Sequence, residues 1–271
     1  MRRLVRVPEG HTIHRYARLQ MRDFGKRELQ VSSPQGWASE AAAAVDGRRL
    51  EKIDAYGKHL LYRFEGAPAI HVHLGLFGRF RTWNQPAPEP RSTIRLRFES
   101  EENALDLSGA TASDLLLRAA ERDLLARLGP DPLRRRPDPE KAWASWQRRK
   151  SGIGAALLDQ KVVAGIGNVY RAEILFACGI DPLLPSNELT RDEFDCIWET
   201  TRAMLRAGER SGKIVTVPRD EAGGAPSRLK GKDRVQVYRR ESCRRCGGPV
   251  SEAEVAARNL FWCPRCQPAR G

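Results

Sequence analysis

Four of the six cysteines fall in two CxxC pairs near the C-terminal end, Cys243 with Cys246 and Cys263 with Cys266, with 16 residues between the pairs. At that spacing four thiolates converge tetrahedrally on one Zn²⁺, each pair on a tight knuckle, so this segment is predicted to be a zinc-finger hairpin held by one structural ion. Two disulfides are the competing arrangement. A reducing cytoplasm disfavours them, and CxxC spacing suits a metal better. Cys178 and Cys196 lie in apolar, helix-patterned stretches and are expected to be ordinary core residues without chemistry.

A chain of 271 residues that is 41% hydrophobic buries a sizeable core, and such a length has room for about two domains. No run approaches the roughly 20 uninterrupted apolar residues of a membrane helix, and the opening MRRLVRVPEGHT has no apolar core of secretory length. A cytoplasmic home follows, with no membrane partner. The 47 Lys and Arg outweigh the 34 Asp and Glu to give a formal charge of +13. That excess favours a polyanion, nucleic acid first, through counterion release, although a basic balance also serves solubility alone. Only nine of the cations are Lys, which with abundant Ala and Gly points to a GC-rich bacterial gene.

Along the chain the periodicity changes twice. Ile13, Tyr16, Ala17, Met21 and Phe24 share one helical face, with Gly25 as the stop, predicting an N-terminal helix over 12–24. Residues 48–107 read as strands; in 93–98, Ile94, Leu96 and Phe98 alternate with Arg95 and Arg97. LGPDPLRRRPDPE at 128–140 reads as a linker, after which patterns turn helical, with Phe194, Ile197, Trp198, Thr201, Met204 and Leu205 on one face. Residues 212–233 are glycine-rich and aperiodic, as in a loop. The glycines at 165 and 167 open a helix at Asn168, where backbone N–H groups can hold a phosphate. Asn168 can equally be a helix cap, the commoner role of such a residue.

LLDQKVVAGIGNVYRAEILFACGIDP at 157–182 resembles the helix-two-turn-helix segment of formamidopyrimidine-DNA glycosylase and endonuclease VIII. The likeness runs over nearly the whole chain through PEG at 8–10, YGKHLL at 56–61, HLGLFG at 73–78, LGPDPL at 128–133 and ARNLFWCPRC at 257–266. It implies an α+β protein in three parts: a β-sandwich-like catalytic domain with an N-terminal helix (1–132), a helical helix-two-turn-helix domain (133–235) and the four-cysteine zinc finger (236–271). The function it implies is removal of oxidised bases from damaged DNA by a monomeric glycosylase and lyase.

Residue roles follow from the same resemblance. Pro8 matches the family's N-terminal proline, whose amine attacks the sugar C1′ to form an iminium, and Glu9 matches its general acid. Lys58 resembles the lysine at the phosphate beside the lesion. Glu173 matches a glutamate near the proline, where a buried carboxylate could hold the amine in place. Asn168 and Arg258 match residues gripping phosphates, a task suited to the planar guanidinium fork. Leu76 and Phe77 stand where the family inserts side chains into the gap left by the flipped nucleotide. Many members carry a second glutamate four residues after the proline, where this chain has Thr12. PEGHTIHR is closer to the endonuclease VIII branch, so oxidised pyrimidines are the expected lesions.

As written, MRRLVRV precedes Pro8 and ties its nitrogen into an amide, which is not a nucleophile. Val7 can be encoded by GTG, an alternative bacterial start codon, so a start that exposes Pro8 is expected. The competing functions are a catalytically silent binder of DNA damage and a zinc ribbon for RNA or protein. The ribbon leaves Pro8, Glu9, Lys58, Asn168 and Arg258 unexplained.

Overall fold

A computed structural model describes residues 8–270; residues 1–7, on which the start-site expectation falls, lie outside the described residues. The chain divides into two compact units that meet at Arg127 and Leu128. Among the described residues no helix is long and apolar enough to cross a membrane.

The first unit begins with α1 (Gly10–Phe24), which starts directly after an extended Glu9 and buries Ile13, Ala17, Gln20 and Phe24 on one face. Gly25 stops the helix by close approach: its N–H bonds to the Met21 carbonyl, and a Cβ there would lie 2.3 Å from that oxygen. There follow β1 (Glu28–Ser32), α2 (Ser39–Val45), β2 (Arg48–Tyr56), β3 (His59–Phe64), β4 (Ala69–His73), β5 (Arg79–Asn84), β6 (Ile94–Glu99), β7 (Asn103–Ser108), β8 (Ala112–Leu116) and α3 (Arg118–Ala126). All pairings are antiparallel, in the order β5-β7-β6-β1-β2-β3-β4-β8. β1 is shared: Glu28 and Leu29 pair with β2, while Gln30 to Ser32 pair with β6. A strand that changes partners in this way turns the corner of a sandwich. Ile13, Phe24, Leu50, Leu60, Leu96 and Phe98 are among the side chains of its single core.

Alternation in β6 holds for Ile94, Leu96 and Phe98 but not for Arg97, which is buried. Its guanidinium grips Asp106 of β7 at 2.7 and 3.0 Å, and the Trp83 indole donates to the same carboxylate at 2.7 Å. A buried cation is tolerated when it is paired and hydrogen-bonded in this way.

The second unit contains α4 (Pro139–Gln147), α5 (Ile153–Ala156), α6 (Asn168–Ala177), α7 (Arg191–Ser211) and the hairpin of β9 (Ser251–Glu254) and β10 (Asn259–Trp262). Thr190 and Glu193 form a reciprocal capping box at the start of α7, and Gly212 closes it in the left-handed conformation at φ 70°. Phe194 packs against Trp143 and Trp146 at ring distances of 5.1 and 5.0 Å. Residues 212–233 are irregular apart from short 3-10 turns.

Two expectations fail here. Residues 128–132 are no exposed linker: the Gly129 N–H bonds to Gln160, the Ala164 N–H bonds to Pro130, and a Cβ on Gly129 would lie 2.3 Å from the Val162 oxygen. Cys178 and Cys196 are not core thiols either. They are joined in a disulfide with Cα atoms 6.0 Å apart, Cys178 half-buried and Cys196 exposed, so the pair ties the end of α6 to the surface of α7.

Candidate active site and metal centre

In the first unit Pro8 and Glu9 stand immediately before α1, at the end of its dipole that is positive, and Glu9 is fully buried. The Glu9 carbonyl accepts the first helical hydrogen bonds, from Thr12 and Ile13. Thr12, in the place of the expected carboxylate, has its hydroxyl 3.1 Å from Nε2 of His11. Burial, with Arg15 nearby, pushes the His11 imidazole down to about 4, so this ring is neutral at physiological pH.

Lys58 sits in the two-residue connection between β2 and β3, after Gly57 at φ 56°. A glycine at the first central position is what such a tight hairpin requires. Beneath the turn the register stacks three histidines that the sequence reading passed over. His59 pairs with His73, and His59 Nδ1 lies 2.8 Å from His71 Nε2. Burial, then the neighbouring His73, His71 and Lys58, pushes His59 down to about 3; His71 and His73 are lowered too, mainly by burial. Lys58 therefore neighbours imidazoles that are held toward their neutral form. Leu76 and Phe77 lie on the β4–β5 turn, 37% and 78% exposed. The turn is held by the Gly78 N–H on Leu74 and by Gly75, whose φ is 62° and whose Cβ would meet the Thr111 hydroxyl at 1.9 Å. Two apolar side chains are thus held outward on a stiff turn.

In the second unit α6 carries Asn168, Arg171 and Glu173. Gly167, not Asn168, is the N-cap, and the Asn168 amide instead donates to the Asn259 carbonyl at 2.9 Å. Arg171, fully buried and unmarked by the sequence reading, donates to the carbonyls of Gly154, Val255 and Arg258 at 3.2, 3.1 and 3.1 Å. Asn168 and Arg171 together fasten α6 to the β9–β10 hairpin whose turn presents the exposed Arg258. Ala256 and Ala257 in that turn both have φ 55°. Its left-handed backbone is strained for alanine and depends on such external support.

Glu173 is fully buried on α6. Oε2 accepts from the Thr216 hydroxyl and the Gln236 N–H, and Oε1 from the N–H groups of Val237 and Tyr238. A carboxylate offers about four acceptor sites, and four donors of its own unit meet this one, so it anchors 216 and 236–238. Burial pushes its carboxyl above the ordinary range despite the four donors.

The four cysteine Sγ atoms lie within 4.8 Å of one another, with Cys243 to Cys266 at 4.0 Å and Cys246 to Cys263 at 3.5 Å. A tetrahedron with Zn–S near 2.3 Å has edges of about 3.8 Å, so the donor set fits Zn²⁺. Burial pushes the Cys243 and Cys266 thiols up, whereas the Gly248 N–H leads in drawing Cys246 down to about 7. Four thiolates here need a dication to be stable. The knuckles pack through Phe261, Tyr238 and Val237 onto Ala172 and Phe176 of α6.

Comparisons with known proteins bear on all of this. Residues 6–110 match the formamidopyrimidine-DNA glycosylase N-terminal domain, 128–219 its H2TH domain, and 241–269 the zinc finger found in FPG and IleRS. The chain is 44% identical over 267 residues to Endonuclease 8 1 of Mycobacterium tuberculosis, covering 96% of this chain and 100% of that protein. It is 32% identical to formamidopyrimidine-DNA glycosylase of Thermus thermophilus, covering 96% and 97%. The fold matches that of Lactococcus lactis Fpg solved with DNA containing an abasic site, with TM-score 0.79, 21% identity and coverage of 96% and 100%. The α+β architecture and the structural zinc finger are those of these proteins.

Proposed function

Because this chain belongs to the formamidopyrimidine-DNA glycosylase and endonuclease VIII family of DNA-repair glycosylases, we propose that it excises oxidised pyrimidines and then cleaves the abasic strand. It does so as a monomer on damaged DNA in the bacterial cytoplasm. The observation that carries the reading is the placement of Pro8 and buried Glu9 directly before α1. An α-amino group titrates near 8, and the positive end of a helix lowers that further, so a free Pro8 amine keeps an appreciable unprotonated fraction at neutral pH.

The chemistry balances on these two residues. The Pro8 nitrogen bonds to C1′ as the bond from C1′ to the base breaks, the amine proton passing to the departing base; Glu9 then gives its proton to the ring oxygen as its bond to C1′ breaks, opening the sugar to an iminium. Loss of a C2′ proton then expels the 3′ phosphate, and water releases the enzyme. Lys58, Asn168 and Arg258 supply donors for phosphates around the extruded nucleotide, and Leu76 and Phe77 fill the space it leaves. Zn²⁺ holds the hairpin that bears Arg258 and takes no part in the reaction.

Borohydride reduces the iminium to a permanent link between protein and DNA. A chain beginning at Pro8 is expected to be trapped on oxidised-pyrimidine and abasic DNA, whereas one retaining residues 1–7 binds DNA without trapping. Trapping of the long form with its N-terminus intact by mass, or no trapping of the short form on any substrate, overturns the reading. In the second case a silent binder of DNA damage is what remains.

A further inference from the structure

Two of the six cysteines serve neither the reaction nor the metal, yet they are bonded to each other. Cys178 is the C-cap of α6 and Cys196 lies in the second turn of α7, with Cα atoms 6.0 Å apart. Cys196 is exposed and Cys178 half-buried, so a thiolate from solution reaches the Cys196 sulfur first. The Thr200 hydroxyl, one turn beyond Cys196, lies 3.5 Å from Cys178 Sγ and 4.0 Å from Cys196 Sγ. It is placed to give a hydrogen bond to whichever sulfur departs as a thiolate. A disulfide this open to solvent belongs to the labile kind, since exchange depends on access to the sulfur.

The link also adjoins the metal centre. Directly after Cys178, Gly179 turns the chain in the left-handed region at φ 67°, and a Cβ there would meet the Cys266 carbonyl oxygen at 3.5 Å. The next carbonyl, of Ile180, accepts from Nε2 of Gln267 at 2.8 Å, and Oε1 of the same side chain accepts from the Cys263 N–H at 3.0 Å. Gln267 is 1% exposed, so neither bond is readily exchanged for one to water. Fixing Cys178 to α7 therefore fixes the turn on which the Cys263 and Cys266 knuckle rests. With the link open, that turn loses its covalent tie to α7 and keeps only packing and hydrogen bonds.

We propose that Cys178 and Cys196 form a reversible thiol–disulfide site, set by a low-molecular-weight thiol and its disulfide, that tightens the zinc finger when it is oxidised. Opening consumes two of the small thiols. The first attacks Sγ of Cys196 and forms a mixed disulfide as Cys178 leaves with the bonding pair; the second attacks the small thiol's sulfur in that mixed disulfide and frees Cys196. Two electrons and two protons pass to the cysteines, and the small thiols leave as their disulfide. Closure is the reverse. Opening in the cell rests on the cytoplasmic setting proposed above, where thiols are kept reduced, whereas the coupling to zinc does not. The tightened form then prevails under the oxidising conditions that produce the lesions proposed above.

The test uses the zinc-loaded full chain in glutathione buffers from fully reduced to fully oxidised, quenched by alkylation and read by peptide mass. Cys178 and Cys196 should pass together from bonded to alkylated as the buffer becomes reducing, and return when it is reoxidised. After buffer removal, zinc transfer to a chelator and hydrogen exchange at the Cys263 and Gln267 amides should be about tenfold slower in the oxidised form, part of the roughly hundredfold that such a cross-link is worth in an unfolding equilibrium. Cys196→Ser should transfer zinc at the rate of the reduced parent whatever the buffer. Gln267→Met should keep the redox response of the pair but lose its effect on zinc. A pair that resists millimolar reduced glutathione, or never re-forms, sinks the switch, and equal zinc transfer in the two forms of the parent sinks the coupling. Borohydride trapping of a chain beginning at Pro8 is measured alongside: lost trapping with an intact redox response rejects the repair reading alone, and the reverse rejects the switch alone.

Discussion

Arg171 offers a sharp test of how the second unit holds the phosphate grip proposed for Arg258. Replacing it with Leu keeps an apolar, helix-compatible side chain in α6 but removes one donor from each of three carbonyls, those of Gly154, Val255 and Arg258, of which the last two still accept from each other's backbone N–H. A buried acceptor left without its donor costs roughly 1–3 kcal/mol, and the two carbonyls that keep a backbone donor lose less, so a destabilisation of about 2 kcal/mol is expected. Two of the three acceptors bracket Ala256 and Ala257, whose left-handed backbone then has no external support on that side. The turn should loosen, and Arg258 with it.

Urea unfolding gives the stability change, and DNA affinity across a salt series gives the functional one. If Arg171 acts through Arg258, Arg171→Leu should weaken DNA binding about tenfold and reduce the salt slope by roughly one phosphate contact. Arg171→Leu combined with Arg258→Ala should then bind no worse than Arg258→Ala alone. A lysine, with one compact ammonium in place of the fork, should recover only part of the loss. Stability within about 0.5 kcal/mol of the parent, or fully additive losses of affinity in the double variant, would refute the positioning role.

The sequence and the structure agree where information is local. The CxxC knuckles and the α1 periodicity with its glycine stop each depend on residues a few positions apart. They part where the decisive partner is distant. Arg97 reads as an outward residue of an alternating strand because its partner Asp106 is supplied by strand pairing. Cys178 and Cys196 look like core residues because each lies in an apolar pattern, and only the packing of α6 against α7 brings them together. Glu173 and Asn168 sit in a recognisable motif, yet their partners come from 216, 236–238 and 259. A motif thus locates a residue without saying what occupies its hydrogen-bonding groups. The histidine stack under Lys58 is likewise a product of β3–β4 register, visible in sequence only once that pairing is known.

Further outcomes follow from the same geometry. The purified protein should carry one Zn²⁺, and Cys263→Ser should release it and melt the hairpin while the first unit keeps its fold, as read by metal analysis and hydrogen exchange. Thiol titration of the denatured, metal-free chain should find four free thiols before reduction and six after. Opening the Cys178–Cys196 link, 18 residues apart, should lower stability by roughly 3 kcal/mol. The first unit should weaken in acid: with His11 depressed to about 4 in the fold against 6.5 unfolded, its contribution is complete above 6.5 and lost as pH falls toward 4. At pH 5 that loss is about 2 kcal/mol, and His11→Asn should flatten the slope. The last outcome separates the two halves of the reaction. Glu9→Gln keeps the volume of a fully buried side chain but has no acidic proton to give. Base excision, which needs that proton on the ring oxygen, should fall by about 10²–10⁴. An abasic sugar already exchanges with its open aldehyde, so the Pro8 amine can still condense with it, and cleavage at abasic sites should persist in a chain beginning at Pro8. Equal loss of both activities at an unchanged melting temperature, or excision at the parent rate, would remove Glu9 from the acid role.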